Sequence, residues 1–542
     1  MGLGTESWRG TRGRLLGLAG VGGLWLLTRG ARAQAASRAL LTGLRVRNGG
    51  VPFAGDGPQL ATLSVAPGRG AAKIEFTLAR RAEVALQILE TGQGVASEQP
   101  STVAETSLRT RQLVLGAGTH VLDWTPASTL PARTYIARVT ARAGETTTRS
   151  DAVVRVLGVD AAFAQRSARP GDPVTLVVRT DAQSLTAQFL HSGPETEPTY
   201  ANDVINGVPM GDPLTVDWRA HMNGPAPIQL QVGADWPSGV YAVRLDAADG
   251  RIGFAPLVVR PAAPAARIAV VMPTSTWGAY NFYDADGDGW GDTWYARWRT
   301  KVADLTRPNP SRGVPFRYRS YDLAFQHWLA QTGKLVDTYA DEDLEQFATP
   351  QALRAAYDLL VFPGHTEYVT TRVYDLVEAF RDLGGNLFFL SANNFFRRVD
   401  RKNGKLTLVD EWRNLGRPES ALLGVQYIAS DRGQRHGPFT VVGADVAPWA
   451  FAGTGLANGS TFGSYGIEID ARSPSSPPST QVLATIPDLF GAGRSAEMTY
   501  YEHWSGAKVF SAGALNFGGQ AMLWPQSQQL LANVWDRLAP SV

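Results

Sequence analysis

The stretch 357–398, YDLLVFPGHTEYVTTRVYDLVEAFRDLGGNLFFLSANNFFRR, constrains the fold of this chain more than any other. Residues 358–362 carry a short apolar run, the pattern of a parallel strand covered on both faces. The run stops at Pro363-Gly364, and the chain then delivers His365, Glu367 and Tyr368 into a loop. Between 370 and 383 the apolar residues Val373, Leu376, Val377 and Phe380 recur at helical spacing. Gly384-Gly385 ends the predicted helix, because glycine takes the left-handed conformation after a helix without a Cβ clash. A second apolar run, 386–390, ends in a polar and aromatic loop, 391–396. The result is a βαβ unit whose two strands carry reactive side chains to their carboxyl ends, where open α/β sheets hold ligands.

At 542 residues the chain exceeds a single core, and domains of about 100–200 residues predict three or four. Upstream of the βαβ unit the pattern is all-β. Residues 41–157 contain alternating runs such as Ala72–Leu78 and Ala82–Leu89 between Gly, Pro and polar clusters. Residues 158–262 repeat the pattern at 174–179, 228–232 and 240–246, with Trp236-Pro-Ser-Gly239 as a hairpin entry. Two immunoglobulin-like β-sandwiches are predicted. The two prolines of residues 261–266 make a stiff linker. Beyond it, over 267–540, strands are expected at 267–272, 316–320, 335–339 and 509–514, and a helix at 322–331. Alternating strands and helices imply a mainly parallel, doubly wound α/β sheet. Gly453-Thr-Gly455 reads as a turn and 473–479 as a Ser/Pro loop.

Residues 1–33 look like an export signal: Arg9, Arg12 and Arg14 precede the apolar stretch 15–27, and Ala31-Arg32-Ala33 is a small-x-small cleavage site. The stretch is short for a membrane span, so no stable span is expected after cleavage, although retention as an anchor is the alternative. Removing these residues takes the formal charge from +2 to −2, since they hold five arginines and one glutamate. The basic balance thus belongs to the signal and argues against nucleic acid as a partner. Without cysteine the chain has no disulfide, thiol nucleophile or thiolate metal site. A periplasmic or extracellular location follows from the signal.

Two candidate sites emerge. Asp284, Asp286, Asp288 and Asp292 stand at relative positions 1, 3, 5 and 9 of an acidic loop, with Gly289 at position 6 for a sharp turn. That spacing suits Ca²⁺ in a structural role, although Tyr295 stands where an EF-hand has its glutamate; the alternative is a solvated acidic turn. The second site is the loop of His365, Glu367 and Tyr368. No HExxH helix, P-loop or G-x-S-x-G elbow occurs.

A colinear set of segments then points to a family. They are Pro273-Thr-Ser-Thr-Trp277 with Ala279-Tyr280-Asn281, Asp343-Leu344, Phe362-Pro-Gly-His365 with Glu367-Tyr368, Gly384-Gly-Asn-Leu387 and Ser391-Ala-Asn393. Further along come Trp412-Arg413, Phe451-Ala-Gly-Thr-Gly-Leu456, Gly466-Ile-Glu-Ile-Asp470 and Val509-Phe-Ser-Ala-Gly513. Over roughly residues 230–530 the chain resembles the large (beta) subunit of N,N-dimethylformamidase, in its C-terminal catalytic-domain family. The sheet is also similar to class I glutamine-amidotransferase-like domains. The resemblance implies a mononuclear iron site of two tyrosines and a glutamate that hydrolyses a small tertiary amide.

Carried onto this sequence, Tyr368 would be one tyrosine ligand and Glu468 the glutamate. The second tyrosine is expected in the 391–396 loop, where this chain has Phe396, which cannot ligate iron. Trp277, Tyr280, Asn281, Asn393 and Phe396 are the expected pocket residues. With iron or another metal present, Glu367 would accept a proton from water and His365 would donate to the oxyanion or leaving amine. The expected function is an exported, metal-assisted hydrolase of a C–N bond, acting on a small-molecule or envelope-derived substrate. The alternative is a non-catalytic envelope or extracellular binding protein with an amidase-like domain.

Overall fold

In the strand Ala72–Leu78 every second residue is buried, Ala72, Ile74, Phe76 and Leu78, as a sheet with one solvated face requires. The computed structural model describes residues 40–539, apart from 49–50, 53–60, 64–71, 93–110, 128–129, 198, 223, 297–299 and 432. The expected export segment lies outside these residues. No helix among the described residues is long and apolar enough to cross a membrane.

The protein is mostly β, with antiparallel sheets in its N-terminal part and a mixed α/β sheet domain in its C-terminal part. The first sandwich faces a four-stranded sheet containing Ala72–Leu78 against a five-stranded one containing Ala82–Leu89 and Thr134–Ala143. Their inward residues share one core, with Ile74, Phe76, Val84, Leu86, Trp124 and Val139. The second sandwich pairs a three-stranded with a five-stranded sheet around Leu176, Val178, Trp218, Tyr241 and Leu245. The Trp236–Gly239 turn is not a hairpin: Ala226–Gln231 and Gly239–Ala247 on either side of it belong to different sheets. Each sandwich carries the same corner. Tyr135 donates to the carbonyl of Pro131 at 2.7 Å, and Tyr241 to that of Pro237 at 2.9 Å.

The nine-stranded sheet of the C-terminal part is mixed rather than mainly parallel. Asp337–Ala340, Ile268–Met272, Leu359–Phe362, Asn386–Phe389 and Lys508–Ser511 run parallel in that spatial order. Ala496–Glu502, Gln481–Ile486, His436–Val441 and Thr461–Gly466 then continue it antiparallel. Alternate residues of the central strands enter two separate cores. Val270, Met272, Val361 and Phe388 meet the helix Pro525–Leu538 through Leu530 and Val534. Ala269, Val271, Leu360 and Phe362 meet the helix Thr371–Asp382 through Val373, Leu376, Val377 and Phe380. That helix starts where Thr370 Oγ1 accepts the Val373 amide, and Gly384, with φ of +85°, follows its end.

Residues 316–320 are not a strand. Arg319–Leu323 forms a π-helical turn that leads into the helix Ala324–Gln331. A smaller sheet of Val302–Asp304, Lys405–Glu411, Arg397–Lys402 and Tyr368–Val369 lies at the carboxyl ends of the parallel strands. The stretch 261–266 is no free linker, because the amides of Ala265 and Ala266 both donate to Asp337 Oδ2. Leu190, Val240, Phe254 and Val258 of the second sandwich share one apolar core with Val270 and Met272 of the large sheet. The first sandwich contacts the α/β part through Arg155, which donates to Tyr283 Oη at 2.7 Å and to the Asp284 carbonyl.

Candidate functional site

Three segments deliver side chains to one buried space. The first is the strand end at residues 363–368. Its backbone is fixed from two sides: the amides of Glu367 and Tyr368 donate to Thr276 Oγ1, and the Glu367 carbonyl accepts the Arg397 amide. The second follows the strand Ile268–Met272, where the short helix Thr274–Ala279 begins. Asp341 accepts from Thr274 Oγ1, Ser275 Oγ and the Ser275 amide, fixing its start, and Tyr280 stands directly after its end. The third is the stretch after the acidic loop, with Trp294 and Tyr295.

Glu367 is the centre of the arrangement. Its Oε2 accepts from Tyr280 Oη at 2.8 Å and from Tyr295 Oη at 3.1 Å. Tyr295 Oη also hydrogen-bonds Tyr368 Oη, which accepts from Trp294 Nε1 at 3.1 Å. Arg397 Nε lies 3.7 Å from Glu367 Oε1. Four oxygen-bearing side chains therefore converge; Tyr295, Glu367 and Tyr368 are buried and Tyr280 is half-buried. The rings of Tyr280 and Tyr295 stack at 4.4 Å.

Glu468 stands one step away. Its Oε2 accepts from Asn393 Nδ2 at 2.7 Å and lies 3.6 Å from His365 Nε2, which is 3.5 Å from Glu367 Oε2. Neither distance makes a hydrogen bond, and His365 Nε2 has no partner among the described residues. Asn393 takes the left-handed conformation, φ 55°, and its amide donates to Asp470 Oδ1 at 2.8 Å.

Burial dominates the electrostatics. It pushes Glu367 up from the carboxylate range, against the donated hydrogen bond of Tyr280 and the charge of Arg397. Burial and the neighbouring charge of Glu367 push Glu468 up to about 8, and burial takes Asp470 to about 8 as well. The phenols of Tyr280, Tyr295 and Tyr368 are raised by burial and by Glu367. Desolvation lowers His365 to about 3, so its ring is neutral at ordinary pH.

The structure thus brings together His365, Glu367, Tyr368, Glu468, Tyr280 and Asn393 from the residues singled out in the sequence. Trp277 lines a small pocket beside them. Asn281 turns elsewhere, donating to the carbonyls of Arg307 and Pro308 and accepting the Tyr283 amide. Phe396 packs on Tyr427 and lies under the guanidinium groups of Arg397 and Arg413. The phenols that join Tyr368 come instead from Tyr280 and Tyr295. Sequence reasoning met Tyr295 only as the residue that breaks the EF-hand pattern. The signal was the aromatic pair Trp294-Tyr295 so soon after an acidic loop.

In that loop, oxygens of Asp284, Asp286 and Asp292 lie within 4.8 Å of one another, and Asp288 is not part of the group. Asp284 accepts the amides of Gly287, Asp288 and Gly289, and burial raises it to about 6.

A family model described as N,N-dimethylformamidase beta subunit-like, C-terminal, matches residues 214–529, from the second sandwich through most of the α/β part and including every residue of the site above. No curated protein matches the chain. That match covers more than half of the chain, and the chain belongs to the N,N-dimethylformamidase beta subunit-like family.

Proposed function

We propose that the protein is an exported, metal-assisted hydrolase of an amide C–N bond, working from the Tyr280–Tyr295–Glu367–Tyr368 cluster. The observation that carries this reading is the convergence of three phenol oxygens and a carboxylate in a buried space. All are hard oxygen donors, a set that suits a hard cation such as the iron implied by the family. Glu367, rather than Glu468, takes the ligand role, because it is the carboxylate the phenols contact. Held by Tyr280, Tyr295, Glu367 and Tyr368, such a cation would polarise an amide carbonyl and make bound water more acidic.

The remaining residues handle protons. Glu468, 3.6 Å from His365 Nε2, serves as the carrier in its ionised form. It takes one proton as the water oxygen bonds to the carbonyl carbon. It returns that proton to the nitrogen as the C–N bond breaks, leaving a carboxylic acid and an amine. Asn393 holds Glu468 in place through its 2.7 Å hydrogen bond. Burial of the cluster keeps bulk water from the proton path.

The two sandwiches read as immunoglobulin-like on their shared tyrosine corner. The acidic loop reads as a structural Ca²⁺ site, since three carboxylates approach one another just before Trp294 and Tyr295.

The test is elemental analysis of the purified full chain together with its Glu367→Gln and Tyr295→Phe variants. Besides calcium in the acidic loop, iron or another hard cation near one per chain, with loss of that second ion in Glu367→Gln and its reduction in Tyr295→Phe, is expected. Undiminished metal in both variants would remove the assignment.

A further inference from the structure

A small pocket opens beside the phenol cluster, between Trp277, Tyr280, Phe316, Tyr321, Asp322 and His365. Its walls are aromatic, and Tyr280 stacks on Phe316 at 5.7 Å. Asp322 is the one carboxylate on the lining and is 1 % exposed. Its Oδ2 accepts from Trp277 Nε1 at 3.2 Å, while its Oδ1 has no hydrogen-bond partner. The chain makes room for that oxygen: a Cβ at Gly364, the residue before His365, would stand 1.9 Å from it. A buried acceptor without a donor costs stability, about 1–3 kcal/mol. A fold that keeps one beside its reaction centre has a use for it.

We propose that this pocket holds the nitrogen end of the substrate and that Asp322 accepts an N–H from it, so that the substrate is a small primary or secondary amide rather than an N,N-dialkylamide. The proposal rests on the amide-hydrolase reading of the site and adds to it which amides are taken. A dialkyl nitrogen offers no donor and leaves Asp322 unpaired, whereas an N–H completes its hydrogen bonding and places the leaving nitrogen beside His365. Sites that hydrogen-bond a substrate N–H discriminate strongly against analogues lacking it, because the buried group is then stranded. Trp277 fixes the carboxylate that reads the N–H, through its 3.2 Å hydrogen bond to Oδ2.

The test uses the full metal-loaded chain at pH 8, above the value of about 7 to which burial raises Asp322, with formamide, N-methylformamide and N,N-dimethylformamide, following binding by saturation-transfer NMR and turnover by amine release. Asp322→Asn keeps an oxygen for Trp277 and puts an NH₂ in place of Oδ1, replacing the acceptor by a donor. The wild-type protein is expected to favour the two N–H amides over the dimethyl compound by about 100-fold or more in kcat/KM. Asp322→Asn is expected to abolish that preference, with kcat/KM for the two N–H amides falling to the level of the dimethyl compound. Equal binding of all three by the wild type, or a preference that Asp322→Asn leaves unaltered, overturns the proposal. Selective binding without turnover supports the pocket assignment and removes the hydrolase reading. Turnover without selectivity does the reverse, and no binding of any of the three overturns both.

Discussion

The two sources of the site differ in kind. The loop 363–368 is the end of a parallel strand in a βαβ unit, and its position follows from apolar periodicity within about thirty residues. Tyr280 and Tyr295 come from a stretch without a period, placed by contacts far along the chain. Tyr280 meets Glu367 across 87 residues and Tyr295 meets it across 72. The first source makes the scaffold as well as the chemistry. The second is held by the scaffold and supplies chemistry alone. Substitutions in the two should therefore separate stability from activity.

The largest effect is expected from Glu367→Gln, which keeps the volume of the side chain and removes the charge that three phenols surround. Amide hydrolysis should fall by about 10³-fold; activity within a factor of ten of wild type would show that Glu367 is not the centre. Next comes Phe362→Ala, in the strand that leads to the loop. It deletes a fully buried ring that stacks on Phe389 at 4.9 Å, costing about 3–5 kcal/mol by chemical denaturation, with metal per folded chain unchanged. Tyr295→Phe should show the opposite balance, with a stability loss of about 1 kcal/mol and a marked loss of metal. If it destabilises as much as Phe362→Ala, the separation of roles fails.

Asp322 gives a pH-dependent version of the comparison. Burial raises it from 3.8 to about 7 in the folded protein. Between those values the unfolded chain releases a proton that the native state keeps, so stability falls as pH rises through the window. Asp322→Asn should flatten the thermal midpoint between pH 4 and 7; an unchanged slope would mean that the carboxyl titrates normally. The smallest effect is expected from Asp286→Asn. It should reduce a calcium-dependent rise in thermal midpoint while leaving hydrolysis near wild type.

Much of the scaffold was legible because it is written in local pattern. The helix Thr371–Asp382, its glycine stop and the two flanking strands all follow from spacing within the segment. The sheet was misjudged as mainly parallel because its antiparallel half is built from short strands whose neighbours are not set by their own periodicity. Residues 316–320 misled for a related reason. Phe316, Tyr318 and Tyr321 are aromatic enough for a strand, yet here they serve a π-helical turn, and Phe316 and Tyr321 line the pocket. His365, Glu367 and Tyr368 stood out as a group in one loop, whereas Tyr295 carried no local mark of its role.

The apolar core shared by the second sandwich and the large sheet also bears on how this protein can be taken apart. A cut at the proline-containing stretch 261–266 would bare Leu190, Val240, Phe254 and Val258 on one fragment and the faces of Val270 and Met272 on the other. Neither piece would be expected to remain in solution by itself. The second sandwich therefore behaves as an inseparable half of a larger folding unit. It is not a cassette that recombination could exchange, and any gene fusion or swap that keeps the amidase-like part working must carry it along.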